Sequence, residues 1–321
     1  MTSATRKSPN VDEYLAYRER FSNWGRWGPD DQLGTLNHIT PEVRLQAAAL
    51  VNEGRTISLA DPMATMPGPL APLPAQHYML IGPRGSRDYI GVQFHGRTFT
   101  HIDALCHIFT GDGRMYNGYP MSEITTEGAP RNSIDAWKSG IFTRGVLYDI
   151  PRVRGTAYVD VDSPVHSWDL EDAAKAQGVE PRAGDAVLVR SGKGAFLAAH
   201  PDIQLTASPS RYVRNGEHAS TPGVHASVAE FLYEHDAALL GWDFLDASDQ
   251  GYPPPTQADP RSVPVHDIVI PYMGLPLVDN MNLEELAGVC AERGRWEFLF
   301  IVAPLVVPGG TGSPANPLAV I

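Results

Sequence analysis

Hydrophobic positions along the chain switch between helical and strand periodicity several times, and the switches lay out its elements. Val11–Arg20 has apolar residues at helical spacing and predicts one amphipathic helix inside a polar N-terminal arm, residues 1–23. Thr40 before Pro41 and Glu42 predicts a second helix, running to about Asn52. Threonine can cap there, and a proline in the first turn loses no hydrogen bond. Short apolar runs predict strands at Thr56–Leu59 and His77–Ile81, separated by an irregular proline-rich loop, Pro62–Pro74. A β-rich stretch, Tyr89–His107, follows. From Gly145 the pattern alternates. Strands are expected at Gly145–Asp149, Ala186–Arg190, Ala238–Asp243 and Phe298–Val307, and helices at Ser167–Gln177, Ser227–His235 and Asn282–Glu292. Gly309–Pro314 reads as a closing glycine loop. The pattern gives neither eight clean βα units nor an internal repeat. It predicts one mixed, β-rich α/β domain over residues 1–321, with peripheral helices.

Composition narrows the function classes. The chain has 321 residues, 43% hydrophobic and 19% charged, which describes a globular protein with a sizeable core. It carries 25 Lys+Arg against 37 Asp+Glu, a net charge of -12. No basic surplus exists to displace counterions from a phosphate backbone, so no nucleic-acid partner is expected. No run approaches the roughly 18 apolar residues of a membrane helix. The N-terminus shows no apolar signal region, so a cytoplasmic location and no membrane partner are expected. Eleven histidines stand beside only two cysteines, Cys106 and Cys290. Two cysteines make no disulfide framework, and any metal site would use nitrogen and oxygen ligands.

The densest chemistry lies in Phe94–His107, which holds His95, His101, Asp103 and His107. In an extended strand alternate side chains share a face, so His101 and Asp103 point the same way. His107 and Phe99 join them if the strand continues, and His95 has the same parity, with Gly96 permitting a bend. An imidazole beside a carboxylate is suited to Zn²⁺ or Mn²⁺. A second polar set, His225, His266 and Asp279, lies late in the chain, with Asp243, Asp246 and Asp249 between. Ordinary loop and capping chemistry explains Asp246 equally well. Other motifs carry less. Gly309-Gly-Thr-Gly-Ser313 lacks the lysine of a phosphate loop, Ser191 lacks a nucleophile elbow, and Cys106 reads as a small core residue. Trp24 and Trp27 serve equally as core anchors or pocket walls.

Thr100-His-Ile-Asp-Ala-Leu-Cys-His107 resembles the signature of the cyclase family, which includes bacterial kynurenine formamidases and isatin hydrolases: His-x-Gly-Thr-His-x-Asp-x-Pro-x-His. Thr100, His101, Asp103 and His107 match in type and spacing. Trp24–Asn37, Gly223-Val-His225, Gly241-Trp-Asp243, Asp279–Leu283 and Gly310–Pro314 resemble other blocks of the longer bacterial members. The resemblance implies a fold of the swivelling β/β/α type, a homodimer or homotetramer, and a metal-dependent hydrolase opening an amide or lactone-like bond. It implies His101, Asp103, His266 and Asp279 as ligands and His107 as the acid/base. Three positions depart. The family's first histidine falls at 97, where this chain has Arg97, so His95 substitutes only if the backbone bulges. Leu105 replaces the proline, and Asp279 the late glutamate. One ion is therefore expected rather than two, and Arg97 is free to bind a substrate carboxylate bidentately. Trp24, Trp27, Phe99 and His225 are expected around a small cyclic or aromatic substrate. A metal-dependent lyase or dehydratase, and a non-catalytic binding protein, remain as alternatives on the same residues.

Overall fold

The order of elements follows the periodicity along much of the chain, in a computed structural model that describes residues 6–208, 210–256 and 263–321. Helix α1 spans Val11–Arg20 as expected, and Asn10 and Glu13 close a capping box at its start. Helix α2, Pro41–Ala48, is capped by the Thr40 hydroxyl, which accepts from the Val43 N–H, and stops short of Asn52. Strand β1 is Thr56–Ser58. Strands β2, Gln76–Gly82, and β3, Gly85–Gly91, form an isolated hairpin exposed along nearly its whole length.

The β-rich reading of Tyr89–His107 needs correction. Within it, beyond the end of β3, only β4, His101–Asp103, is strand, and residues 95–98 form a turn. Strand β5, Ile141–Asp149, is followed by a short helix α3, Ile150–Arg154. Helix α4 is Ser167–Gln177, β6 is Ala186–Arg190 and α5 is Lys193–Ala199. A small three-stranded sheet follows, β7 Ile203–Leu205, β8 Tyr212–Arg214 and β9 Glu217–His218. Then come α6, Val228–Glu234, and β10, Leu239–Trp242. A helical turn α7, His266–Ile268, runs into a π turn, Val269–Met273, and β11, Leu277–Asp279, follows. Helix α8, Glu284–Arg293, precedes β12, Glu297–Val302. That strand ends earlier than expected because Pro304 cannot donate to a ladder. The expected glycine loop contains β13, Gly312–Pro314, and β14 is Leu318–Val320.

Nine of these strands make one mixed sheet in the order β1-β14-β12-β5-β6-β10-β11-β4-β13. The centre, β5-β6-β10-β11, is parallel, and both flanks are antiparallel. Parallel strands must be covered on both faces, which explains their unbroken apolar runs: Ala186–Val189 and Leu239–Trp242 are fully buried. Phe298, Phe300, Leu147 and Trp242 belong to the main core, and Phe196, Tyr212 and Phe244 to a smaller one beneath the three-stranded sheet. No helix among the described residues is long and apolar enough to cross a membrane.

The site follows from this order. Strand β4 lies between β11 and β13, so His101 and Asp103 sit in the sheet interior with neighbours on both sides. The register sets Asp279 opposite His101 and Gly312 opposite Asp103.

Candidate metal centre

Strand alternation puts His101 and Asp103 on one face, as expected, and His101 Nε2 lies 3.3 Å from Asp103 Oδ1. His107 arrives by a different route. The strand ends at Asp103, and the chain turns back with the His107 N–H donating to the Ala104 carbonyl. His107 Nε2 then stands 3.9 Å from Asp103 Oδ2. His95 arrives by the turn at Gly96, whose φ of 122° is glycine territory. The turn brings His95 Nδ1 to 2.9 Å from Asp103 Oδ1 and stacks its ring flat on His107, centroids 3.7 Å apart. Gly312 makes room for this: a Cβ there would lie 3.0 Å from His95 Cε1. The α7 turn supplies His266, with Nε2 3.4 Å from Asp279 Oδ2 and 3.7 Å from Asp103 Oδ2.

Four of these side chains, His101, His266, His95 and Asp279, have one end held by the protein and the other turned inward. His101 Nδ1 donates to the Phe99 carbonyl at 2.8 Å, which leaves the Nε2 lone pair facing Asp103. His266 Nδ1 donates to Asp246 Oδ2 at 2.5 Å, which leaves its Nε2 lone pair facing Asp103 and Asp279. His95 Nε2 contacts the Thr311 hydroxyl at 3.0 Å. Asp279 Oδ1 accepts from the Trp242 indole at 2.5 Å. Asp103 is 1% exposed, yet neither of its oxygens has a hydrogen-bond partner among the described residues, and nor does His95 Nδ1. With these rings neutral, lone pairs face lone pairs around a buried carboxylate. Burying a carboxylate this way is costly unless a cation sits among the donors. Two overlapping donor groups, His95/His101/Asp103 and Asp103/His266/Asp279, share Asp103. Nitrogen and carboxylate donors in such a set fit a borderline divalent ion.

The protonation equilibria carry the same signature. Burial alone would push His101 down, but Asp103 and then Asp279 hold it above its ordinary value. Burial opposes the shift of His266 too, and Asp246 and Asp279 carry it well above normal. Asp103 is held well below the carboxylate range by the histidines around it, against burial. The cluster thus attracts positive charge. His107 behaves differently: burial pushes it down to about 4, Asp103 opposes, and the neighbouring histidines add to the fall.

Other expected site residues lie elsewhere. Trp24 donates its indole N–H to the Pro271 carbonyl and stacks on Tyr272, and Trp27 packs edge-on against His38. His225 is buried against His166, with Ser227 and Tyr252 on its two nitrogens. Trp24, Trp27 and His225 have no hydrogen bond, ion pair or ring contact with the donor cluster among the described residues. Phe99 is buried beside it and supplies its carbonyl to His101. Arg97 makes no ion pair with the donor cluster among the described residues, and its guanidinium lies 5.4 Å over the Tyr212 ring. The backbone turns rather than bulges, and it is His95, not residue 97, that joins the donor group. The expectation of a single ion rested on Arg97 and the shorter Asp279; the two donor groups share Asp103. Sequence reasoning named Asp246 but explained it equally well by capping, and gave Trp242 no role; they orient His266 and Asp279. The Gly241–Asp249 run holds both residues.

The family model "Putative cyclase" matches residues 35–248. A crystal structure of a novel cyclase is similar over 95% of this chain and 99% of its own, with 29% identity and a TM-score of 0.78. Isatin hydrolase A from Ralstonia solanacearum is 22% identical over 87% of this chain and 97% of its own, with a TM-score of 0.54. An isatin hydrolase bound to the product analogue thioisatinate is 18% identical over 88% and 99%, with a TM-score of 0.55. Those two share the fold. No curated protein matches the sequence.

Proposed function

The chain belongs to the cyclase family, and from that premise we propose that it is a metal-dependent hydrolase opening an amide or lactone-like bond of a small cyclic or aromatic substrate. One observation carries the reading: a buried carboxylate, Asp103, with both oxygens free of hydrogen bonds, lies among histidines whose outer nitrogens the protein holds. His95, His101, Asp103, His266 and Asp279 would hold the ion. When bound, a divalent cation supplies Lewis acidity, which polarises a carbonyl and makes water a nucleophile near neutral pH. His107 is the acid/base. Its low pKa keeps it neutral at pH 7, so Nε2 can accept the proton of the attacking water and return it to the leaving nitrogen or oxygen. The proton cannot rest there for long, because a charged His107 would lie flat against His95.

The test uses isatin, the cyclic amide named by the isatin hydrolase neighbours, with a panel of N-formyl arylamines. Chelation should abolish turnover, and added Zn²⁺ or Mn²⁺ should restore it. Oxygen-18 from solvent should enter the new acid, which an elimination would not show. His107→Ala should lower kcat far more than it raises KM. Full turnover by chelator-treated protein, or an unchanged kcat in that variant, would overturn the reading.

We also propose a closed homo-oligomer, a dimer or tetramer. The β2–β3 hairpin supports it, with Ile81 85% and Leu80 64% exposed. A lone two-stranded hairpin is marginally stable in water and is expected to pack on something. Sedimentation equilibrium decides it, and a monomer at micromolar concentration would count against it.

A further inference from the structure

We propose that Arg97 is the anion-recognising residue of the site and that the substrate carries a carboxylate beside the bond to be opened, a proposal that rests on the hydrolase reading above. The turn at Gly96 has two consequences. It sends His95 to the metal donors and leaves Arg97 in the lining of a narrow cavity that His95 also lines. That cavity, of about 30 Å³, is lined by His95, Arg97 and Phe99 on one strand of chain, by Pro72 and Leu73 of the proline-rich loop, and by Ser210. One member of the donor cluster, His95, and Arg97 thus line the same cavity.

The state of Arg97 points to a ligand. The guanidinium lies over Tyr212, which is itself buried in the smaller core and cannot move aside. The Arg97 N–H of the backbone donates to the Ser210 hydroxyl, which fixes the loop. Yet Nη1 is buried without a hydrogen-bond partner, and no carboxylate pairs with Arg97 among the described residues. Other well-placed arginines of this chain are paired: Arg144 with Asp185 and Glu297, and Arg190 with Asp149 and Glu284. A cation left half-buried without a counter-ion costs stability unless an anion completes it. The planar fork of a guanidinium presents its edge N–H groups to a carboxylate bidentately. The cavity holds about one water in this conformation. A ring-sized ligand therefore enters only when Pro72 and Leu73 part from the segment around Ser210. The ligand then bridges the two ends: carboxylate on Arg97, scissile carbonyl at the cluster.

Calorimetric titration of benzoate and of its neutral isostere benzamide, into metal-loaded and chelator-treated protein, tests this without turnover. Wild type should bind benzoate measurably in both forms. Arg97→Gln should weaken benzoate at least about tenfold, with benzamide binding and metal content unchanged. Arg97→Lys should recover part of the loss, since an ammonium restores charge but not the fork. Absence of benzoate binding by wild type up to roughly 10 mM, a change under twofold in Arg97→Gln, or equal loss of benzoate and benzamide would each overturn the proposal. Arg97-dependent benzoate binding with no turnover of any amide would instead uphold Arg97 as an anion site and overturn the hydrolase reading, and with it the placing of that carboxylate beside a scissile bond.

Discussion

Asp246→Asn isolates the role of a residue that touches no substrate. Asp246 is 2% exposed and uses both oxygens: Oδ1 accepts the Val265 N–H at 2.6 Å, and Oδ2 accepts His266 Nδ1–H at 2.5 Å. An asparagine of the same shape has one acceptor and one amino group. If its oxygen keeps the Val265 N–H, its amino group faces His266 Nδ1, which must then accept. The imidazole proton moves to Nε2, into the space between Asp103 and Asp279 where a lone pair now points. If the amide flips, two N–H groups collide at Val265, at a cost of about 1–3 kcal/mol for the lost hydrogen bond. Either way His266 is a poorer ligand. Loss of such an orienting carboxylate typically lowers metal affinity about 10–100-fold. In free energy that is roughly 1.4–2.7 kcal/mol. The assay is competition against a fluorescent chelator with Zn²⁺ or Mn²⁺, on chelator-treated wild type and variant whose circular dichroism matches. The rise in Tm on adding metal should shrink in parallel, since it scales with ligand saturation. An affinity within twofold of wild type would refute the tautomer argument and reduce Asp246 to a backbone cap for α7.

Three further outcomes are expected. Gly312→Ala places a Cβ 2.5 Å from the Ile102 carbonyl and 3.0 Å from His95, so β13 must part from β4. It should cost about 1–3 kcal/mol in urea unfolding and lower metal content, and a variant of wild-type stability would refute the close-approach argument. Arg144→Met removes a buried guanidinium that binds Asp185 at 2.7 and 2.8 Å and Glu297 at 2.6 Å. The stranded Asp185 carboxylate should cost about 3–5 kcal/mol, and a loss under 1 kcal/mol would show that Arg182 and solvent suffice for it. Burial pushes His166 down to about 4 and His225 to about 3 in the folded chain. As pH falls below the ordinary value near 6.5, the unfolded chain takes up protons that the folded chain does not. These two histidines should therefore take stability away between about pH 6.5 and 4, His225, the more buried, by the larger amount. His225→Gln should flatten the slope of Tm against pH in that window, and an unchanged slope would exclude His225 as a source.

Much of this molecule can be read along the chain. Helices α1 and α4 and strand β6 fall at the expected residues, because caps and apolar periodicity are local signals. The shared face of His101 and Asp103 is equally local, set by the two-residue repeat of a strand. The rest of the site is not. His95 and His107 reach Asp103 through turns at Gly96 and Ala104 that replace a strand the pattern favoured. Strand β13 was hidden in a glycine run, since its evidence is a partner, β4, far away in sequence. Asp279 meets His101 through the register of β11 on β4, and His266 joins them from the α7 turn, held by Asp246. Trp24, Trp27 and His225 had the right chemistry for a pocket but are spent on packing and hydrogen bonds elsewhere. Residue types and spacing thus established which groups could bind a cation, while register and turn geometry, set by long-range packing, selected which of them meet.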